Sequence, residues 1–271
     1  MKRSIIVCLG ILSVLTAKTN DRLFTYTYQT NVLNRGQKEI EVWTTLHAKK
    51  ADFYRGIKNR MEFEVGLGKK TQAAFYINTS LDAMAVPNGA DVELQKEFDI
   101  SFSNEWKHQF TDPVANKLGS AIYGEFTLGL NEIELETKLL LDKQVNNWTV
   151  AFNMITEYEI EKEFEYENGD IETEREHAFK LEFNAAFAYT FKKGIAIGME
   201  TVQKNEITRG DKLKYCAWFA GPAISYTMDR FWIAASVMPQ MIAFKNRSEG
   251  TVLDLDEYER LQARLIFSFA F

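Results

Sequence analysis

The sequence predicts an all-β fold, an antiparallel transmembrane β-barrel of about twelve strands behind an N-terminal signal peptide. Three observations predict it. Apolar residues recur at every second position in segment after segment, the period of a strand rather than a helix. Beyond the N-terminus no run reaches the roughly 18 consecutive apolar residues of a membrane-spanning helix, and mean hydropathy is −0.26. Tight and long connections alternate along the chain, as expected for a barrel with short turns on one side of a membrane and loops on the other.

Residues 1–17 read as a secretory signal. Lys2 and Arg3 lead an apolar stretch from Ile5 to Leu15, and Leu15-Thr16-Ala17 offers a cleavage site, with Leu where a small residue is usual. About a dozen apolar residues are too few to anchor in a bilayer. Cleavage removes Cys8 and leaves Cys216 alone, so no intrachain disulfide is available to the mature fold. Residues 18–271 show no compositional break and read as one barrel domain. A net charge of −6 argues against nucleic acid as a partner.

Strands are expected to begin near Glu39, Gly56, Lys70, Lys96, Gly119, Asn131, Asn147, Glu172, Gly194, Leu213, Arg230 and Glu257. In the last, Leu261, Ala263, Leu265, Phe267, Phe269 and Phe271 share one face, and Ile266 is an apolar exception on the other. In the eighth, Phe179, Leu181, Phe183, Ala185, Phe187, Tyr189 and Phe191 oppose Lys180, Glu182, Asn184, Ala186, Ala188 and Thr190. Tight turns fall at residues 66–70, 143–147, 192–194 and 227–230, and long connections at 82–95, 161–176, 204–212 and 245–257. Two links depart from the scheme: 111–118 is long for a turn, and 129–131 is tight for an outer loop.

Alternation alone does not say which face is wet, and a soluble sandwich would bury the aromatic face. The apolar faces are large and numerous for one soluble core. Trp106, Trp148 and Trp232, with Tyr189 and Tyr226, fall near the proposed periplasmic turns, where an interfacial aromatic girdle would lie. Closure also removes the open edges that lipid cannot satisfy. The lumen face then carries Glu41, Arg60, Glu62, Glu64, Glu105, Lys107, Glu125, Glu134, Glu136, Lys138, Glu182 and Arg264. These charges would either select solutes or pair with one another as a plug, with Glu62, Glu64, Arg60, Lys107 and Lys138 available for pairing.

The last strand resembles the C-terminal assembly signal of Gram-negative outer-membrane proteins through Arg264, Phe269 and Phe271, with Ile266 where Gly is usual. More of the chain resembles an uncharacterised porin-like family of outer-membrane barrels. That resemblance runs through Tyr26-x-Tyr28, Leu33, Gly36, Glu39-x-Glu41-x-Trp43, Arg60-x-Glu62-x-Glu64-x-Gly66, Phe75-Tyr76-Ile77-Asn78 and Ser103-Asn104-Glu105-Trp106-Lys107, with Asn34 where Pro is expected. It implies an outer-membrane location in a Gram-negative bacterium, with membrane lipid and the barrel-assembly machinery as partners. It transfers no reaction, substrate or cofactor.

Catalytic signatures are absent: no HExxH, no G-x-S-x-G and no zinc-spaced Cys/His set, while His47, His108 and His177 are scattered. Gly66-Leu67-Gly68-Lys69-Lys70-Thr71 reads as a turn, because a phosphate loop would lead into a helix. Asn168-Gly169 signals a hairpin that sets Glu161, Glu163 and Glu165 against Glu176, Glu174 and Glu172. Like charges so opposed need compensation from bases, from salt and water, or from weakly held Ca²⁺. The expected role is passive passage of small solutes past an acidic lumen. The alternatives are a non-conducting barrel that binds through long surface loops and, more remotely, a lipid hydrolase.

Overall fold

A computed structural model describes residues 22–88, 91–167, 170–208 and 213–271, and only the backbone of 87–88, 163–167 and 170–174. Twelve strands run in chain order: β1 (Lys38–Ala48), β2 (Tyr54–Gly68), β3 (Thr71–Asn88), β4 (Asp91–Thr111), β5 (Gly119–Gly129), β6 (Glu132–Val145), β7 (Trp148–Glu167), β8 (Asp170–Thr190), β9 (Ile195–Thr208), β10 (Tyr215–Thr227), β11 (Phe231–Lys245) and β12 (Leu261–Ala270). Each pairs antiparallel with its sequence neighbours, and β1 pairs with β12 from Glu39↔Ala270 to Ala48↔Leu261, so the sheet closes on itself. Among the described residues there is no helix.

The burial pattern is that of a soluble protein turned inside out. Ile40, Val42, Phe63, Phe75, Ile77, Phe126, Leu265, Phe267 and Phe269 point outward and are exposed, whereas Glu39, Glu41, Glu62, Glu64, Glu105, Lys107 and Glu200 are buried inside. Strict alternation under closure gives this result, since one face of every strand must point into the lumen. An aqueous sandwich would invert it. Trp106 and Trp148 are exposed near the end of the barrel that carries the chain's short turns. There Tyr189 stacks edge-on against Trp148 at 5.0 Å and against Phe191 at 4.9 Å.

Trp232 corrects the expected girdle. It is fully buried and donates its indole N–H along the inner wall, past β12, to Glu39, 2.6 Å away. Ile266 likewise faces inward, packed with Tyr28, Trp43 and Trp232. Two expected loops are strands. Residues 82–88 and 91–95 extend β3 and β4 to Asn88↔Asp91, and 161–167 and 170–176 extend β7 and β8 to Glu167↔Asp170. The whole β4 stretch 91–100 is exposed on both faces, so its polar residues mark a water-surrounded ribbon rather than a loop. The last strand starts at Leu261, four residues beyond its expected start at Glu257.

Several expectations are met. The β7–β8 register pairs Glu165 with Glu172, Glu163 with Glu174, Glu161 with Glu176 and Trp148 with Tyr189. The turn at 168–169 itself lies outside the described residues, as do residues 1–17. The 129–131 link is tight. In the longer 111–118 turn, Asp112 accepts the N–H groups of Val114 and Ala115 at 2.8 Å each, like a helix cap without the helix.

A cation placed on the outward face meets lipid instead of water. Ile77 is 52% exposed and pairs with Met61 and Phe102, both also outward. Ile77→Arg is expected to destabilise the barrel by about 2–4 kcal/mol, measured by reversible denaturant unfolding in lipid vesicles; an unchanged midpoint would contradict a lipid-facing position.

Candidate functional site

Twelve strands enclose a lumen wide enough to need filling, and residues 22–33 fill part of it. This segment belongs to no strand, yet Phe24, Thr25, Tyr26, Thr27, Tyr28, Thr30 and Leu33 are all buried. Space for it comes from small residues on the inner wall: Phe24 packs among Ala151, Ala186, Ala188, Ala196 and Ala223. The segment enters beside Gly66, where a Cβ would stand 2.0 Å from the Asn34 carbonyl oxygen, so only glycine lets the two backbones pass.

Wall side chains supply the hydrogen bonds that a strand partner would have given. Glu200 accepts the N–H groups of Thr25, Tyr26 and Thr27 at 2.8, 2.8 and 2.9 Å. Asn153 clamps one residue from both sides, accepting from Tyr28 N–H at 2.6 Å and donating to Tyr28 O at 2.9 Å. Gln72 accepts from Leu33 N–H at 2.9 Å, Thr30 donates to Asp142 at 2.6 Å, and Arg264 donates to Thr25 O at 3.1 Å. Backbone groups buried without partners are costly, so these wall residues are what make an irregular segment tolerable here. We call residues 22–33 the plug.

The lumen charges are arranged around it. Arg264 stacks over Tyr26 at 3.8 Å and donates to Thr45 at 2.9 Å. Lys138 lies over Tyr28 at 4.2 Å and over Tyr123 at 4.1 Å, and pairs with Glu136 at 2.9 Å. Arg60 covers Tyr76 at 4.1 Å, donates to Asn78 at 3.0 Å and lies 3.8 Å from Glu125. Glu41 accepts from the Trp43 indole at 2.7 Å, and Glu182 from Asn184 at 2.8 Å. Arg60 and Lys138 therefore pair with Glu125 and Glu136 rather than with Glu62 or Glu64. Carboxylate oxygens of Glu62, Glu64 and Glu105 gather within 4.8 Å of one another, and so do those of Glu132, Glu134 and Glu159. Lys107 lines a small void with Glu64 and Glu105.

Register links many of these acids into one track. Glu39 opposes Glu64, Glu64 opposes Ala74, and Ala74 opposes Glu105. The row continues through Glu125, Glu136, Glu157, Lys180 and Glu206. Because barrel strands are tilted, a row perpendicular to them climbs from the short-turn end toward the other mouth. Lys180 interrupts the acids by bridging to Glu157 at 2.9 Å and also to Glu159.

Beyond the plug opens a vestibule of about 530 Å³, lined by groups that include Trp43, Lys58, Glu134, Lys180 and Arg264. On the other side of the plug the void beside Arg22, Glu64 and Lys107 is about 10 Å³. The 246–260 connection folds over one side of the mouth. Its Asp254 exchanges two hydrogen bonds with Gln240, at 2.7 and 2.9 Å, and its Glu259 meets His47 Nδ1 at 2.7 Å. Burial raises the Glu259 pKa, but the His47 hydrogen bond and nearby Lys204 outweigh it and hold the carboxyl down to about 2.

The proposed calcium residues are only partly described. Glu161 and Glu176 are exposed, with Glu176 3.8 Å from Lys214, while the side chains of Glu163, Glu165, Glu172 and Glu174 lie outside the described residues. Phe269 and Phe271 point outward and Arg264 inward. His108 and His177 are bonded to Thr71 and Tyr158 on strands separate from His47. Sequence reasoning missed the plug, although the alanines on the wet face of β8 were its visible sign.

Two consequences are measurable. Glu200→Ala strips three plug amides of their acceptor; at about 2 kcal/mol lost, hydrogen exchange at Thr25, Tyr26 and Thr27 should accelerate roughly 30-fold. Unchanged protection would mean that the plug is held elsewhere. The depressed carboxyl makes Glu259 stabilising at pH values above its unfolded pKa of 4.5, a contribution lost as pH falls toward about 2. His47→Gln should therefore weaken the seating of this loop near neutral pH and flatten its response to acid, read by proteolysis of residues 246–260 across pH 2–7.

The fold has solved counterparts. The outer-membrane channel COG4313 from Pseudomonas putida F1 superposes with a TM-score of 0.62 at 7% identity, covering 89% of this chain and 98% of that one. The translocator domain of the autotransporter NalP from Neisseria meningitidis gives 0.58 at 10% identity, covering 89% and 91%. The NanC porin gives 0.50 at 10% identity, covering 85% and 98%. At these identities the likeness is one of fold. No curated protein matches the chain in sequence. Residues 16–271 match the family of unknown function DUF6662, and the chain belongs to that family.

Proposed function

We propose that this protein is a passive channel in the outer membrane of a Gram-negative bacterium, obstructed in the present conformation by its own N-terminal plug. The observation that carries this reading is the independence of the plug from the sheet. The plug is held by side-chain contacts while the wall pairs continuously around it, so displacing it would open the lumen without breaking a strand. The register row of carboxylates would then line the opened path, and the vestibule carries nine carboxylates against six Lys and Arg. Such a lining favours cations and polyhydroxylated solutes over anions. Similarity to barrels described as a channel and a porin supports the reading at the level of fold.

The membrane setting rests on the exposed apolar belt and the outward aromatic residues near the short turns. The outward Phe269 and Phe271 are the groups the barrel-assembly machinery would meet, while Arg264 serves the plug. A second reading, a non-conducting barrel that works through its projecting hairpins, is favoured by how many wall groups hold the plug in place.

Planar-bilayer recording separates the two. The intact chain is expected to conduct little. A variant lacking residues 22–33, folded and heat-modifiable in gels, should conduct in steady steps, with a reversal potential in a KCl gradient that reports cation preference. A folded deletion variant without current would retire the channel reading in favour of the second.

A further inference from the structure

We infer that the plugged end of the lumen holds a divalent-cation site built from Glu62, Glu64 and Glu105. Their carboxylate oxygens, one from each, lie within 4.8 Å of one another. Two oxygens on opposite sides of a Ca²⁺ ion, each bound at 2.3–2.6 Å, are about 5 Å apart, so the cluster already has the span of one coordination sphere. The three residues are 3%, 5% and 1% exposed. Neighbouring strands place them there: Glu41 opposes Glu62, Glu39 opposes Glu64, and Ala74 lies between Glu64 and Glu105.

A second observation concerns their partners. Among the described residues, the buried carboxylate oxygens that lack any hydrogen-bond partner are Oε2 of Glu62, Oε2 of Glu64 and Oε1 of the adjacent Glu41. Other lumen acids are provided for: Glu136 by Lys138, Glu157 by Lys180, and Glu200 by the plug amides. The unsatisfied carboxylate oxygens are thus gathered in one corner rather than spread along the wall. The cations at hand are Arg22, stacked over Tyr28 at 3.9 Å, and Lys107, with Arg60 nearby but turned to Glu125 at 3.8 Å. Arg22 and Lys107 face Glu41, Glu62, Glu64 and Glu105, while Glu39 beside them is served by the Trp232 indole and the Ser268 hydroxyl. Buried negative charge in such excess needs a counter-ion or protons. A donor set of oxygens alone suits a hard ion such as Ca²⁺ or Mg²⁺ over thiolate- or imidazole-seeking metals. The inference does not depend on conduction.

Equilibrium dialysis tests it with Ca²⁺ as the probe. Full-length protein, folded in detergent and stripped with EDTA, is dialysed at neutral pH against labelled CaCl₂, and thermal midpoints are taken with and without the ion. The wild type is expected to retain one Ca²⁺ per chain and to gain thermal stability from it. Glu62→Gln/Glu64→Gln/Glu105→Gln should lose both effects, whereas Glu132→Gln/Glu134→Gln/Glu159→Gln in the vestibule should keep them. Should the first triple variant fail to fold, Glu64→Gln alone is expected to weaken binding at least tenfold. Wild-type protein that takes up no Ca²⁺ would mean that these carboxyls are held by protons, and would overturn the site. So would uptake that the substitutions at Glu62, Glu64 and Glu105 leave unchanged.

Discussion

Pairing of β1 with β12 is the constraint from which the rest of this structure follows. Once the sheet closes, every strand has two neighbours, no edge is left to satisfy, and each side chain must point either to the surroundings or to a shared interior. The chain answers with apolar residues outside and polar ones within. That division creates a second problem, because a closed ring of twelve strands encloses more space than charged side chains alone would fill. Alanines on the inner faces of β7 to β10 widen the space further, and the N-terminal segment occupies it. Closure, inverted polarity and internal plug are successive consequences of one hydrogen-bonded seam.

The plug shows how irregular backbone survives in such an interior. It carries no sheet partner, so its amides and carbonyls are met one at a time by Glu200, Asn153, Gln72 and Arg264. Its aromatic rings do double work, filling volume and covering cations: Tyr28 shares Arg22 and Lys138, and Tyr26 takes Arg264. Charges that would be costly in a dry core are thereby stacked, bridged or bonded in turn. The corner around Glu62 and Glu64 stands apart because that provision is missing there.

The fold was legible in the sequence wherever burial differed between the two faces of a strand. Period-two alternation placed all twelve strands, and Asn168-Gly169 gave the β7–β8 register because a two-residue turn leaves one pairing that keeps Tyr158 opposite Phe179. It failed where that difference disappears. Residues 91–95 stand in water on both sides, so their charge read as a loop although they are paired. Phe24-Thr25-Tyr26-Thr27-Tyr28 alternates like a strand yet pairs with none, because its environment is wall on all sides. Trp232 and Ile266 broke the pattern for the same reason: they face the plug, and an apolar residue on the inner face is a contact with something inside. Alanine on a supposedly wet face carried the same message.

The long ribbons have a consequence of another kind. From Asp91 to Ile100 the β4 strand is exposed on every residue, Val92, Leu94 and Phe98 included. At about 3.3 Å per residue these ten residues cover roughly 25 Å along the barrel axis even when tilted, and the part from Asp91 to Leu94 rises beyond the end of β2. A structure planted in a bilayer with such masts presents their flanks, and not its interior, to anything arriving at that mouth. Antibodies raised against intact cells would therefore report on ribbon residues such as Asp91, Val92 and Glu93, and could bind or be escaped without disturbing what happens in the interior.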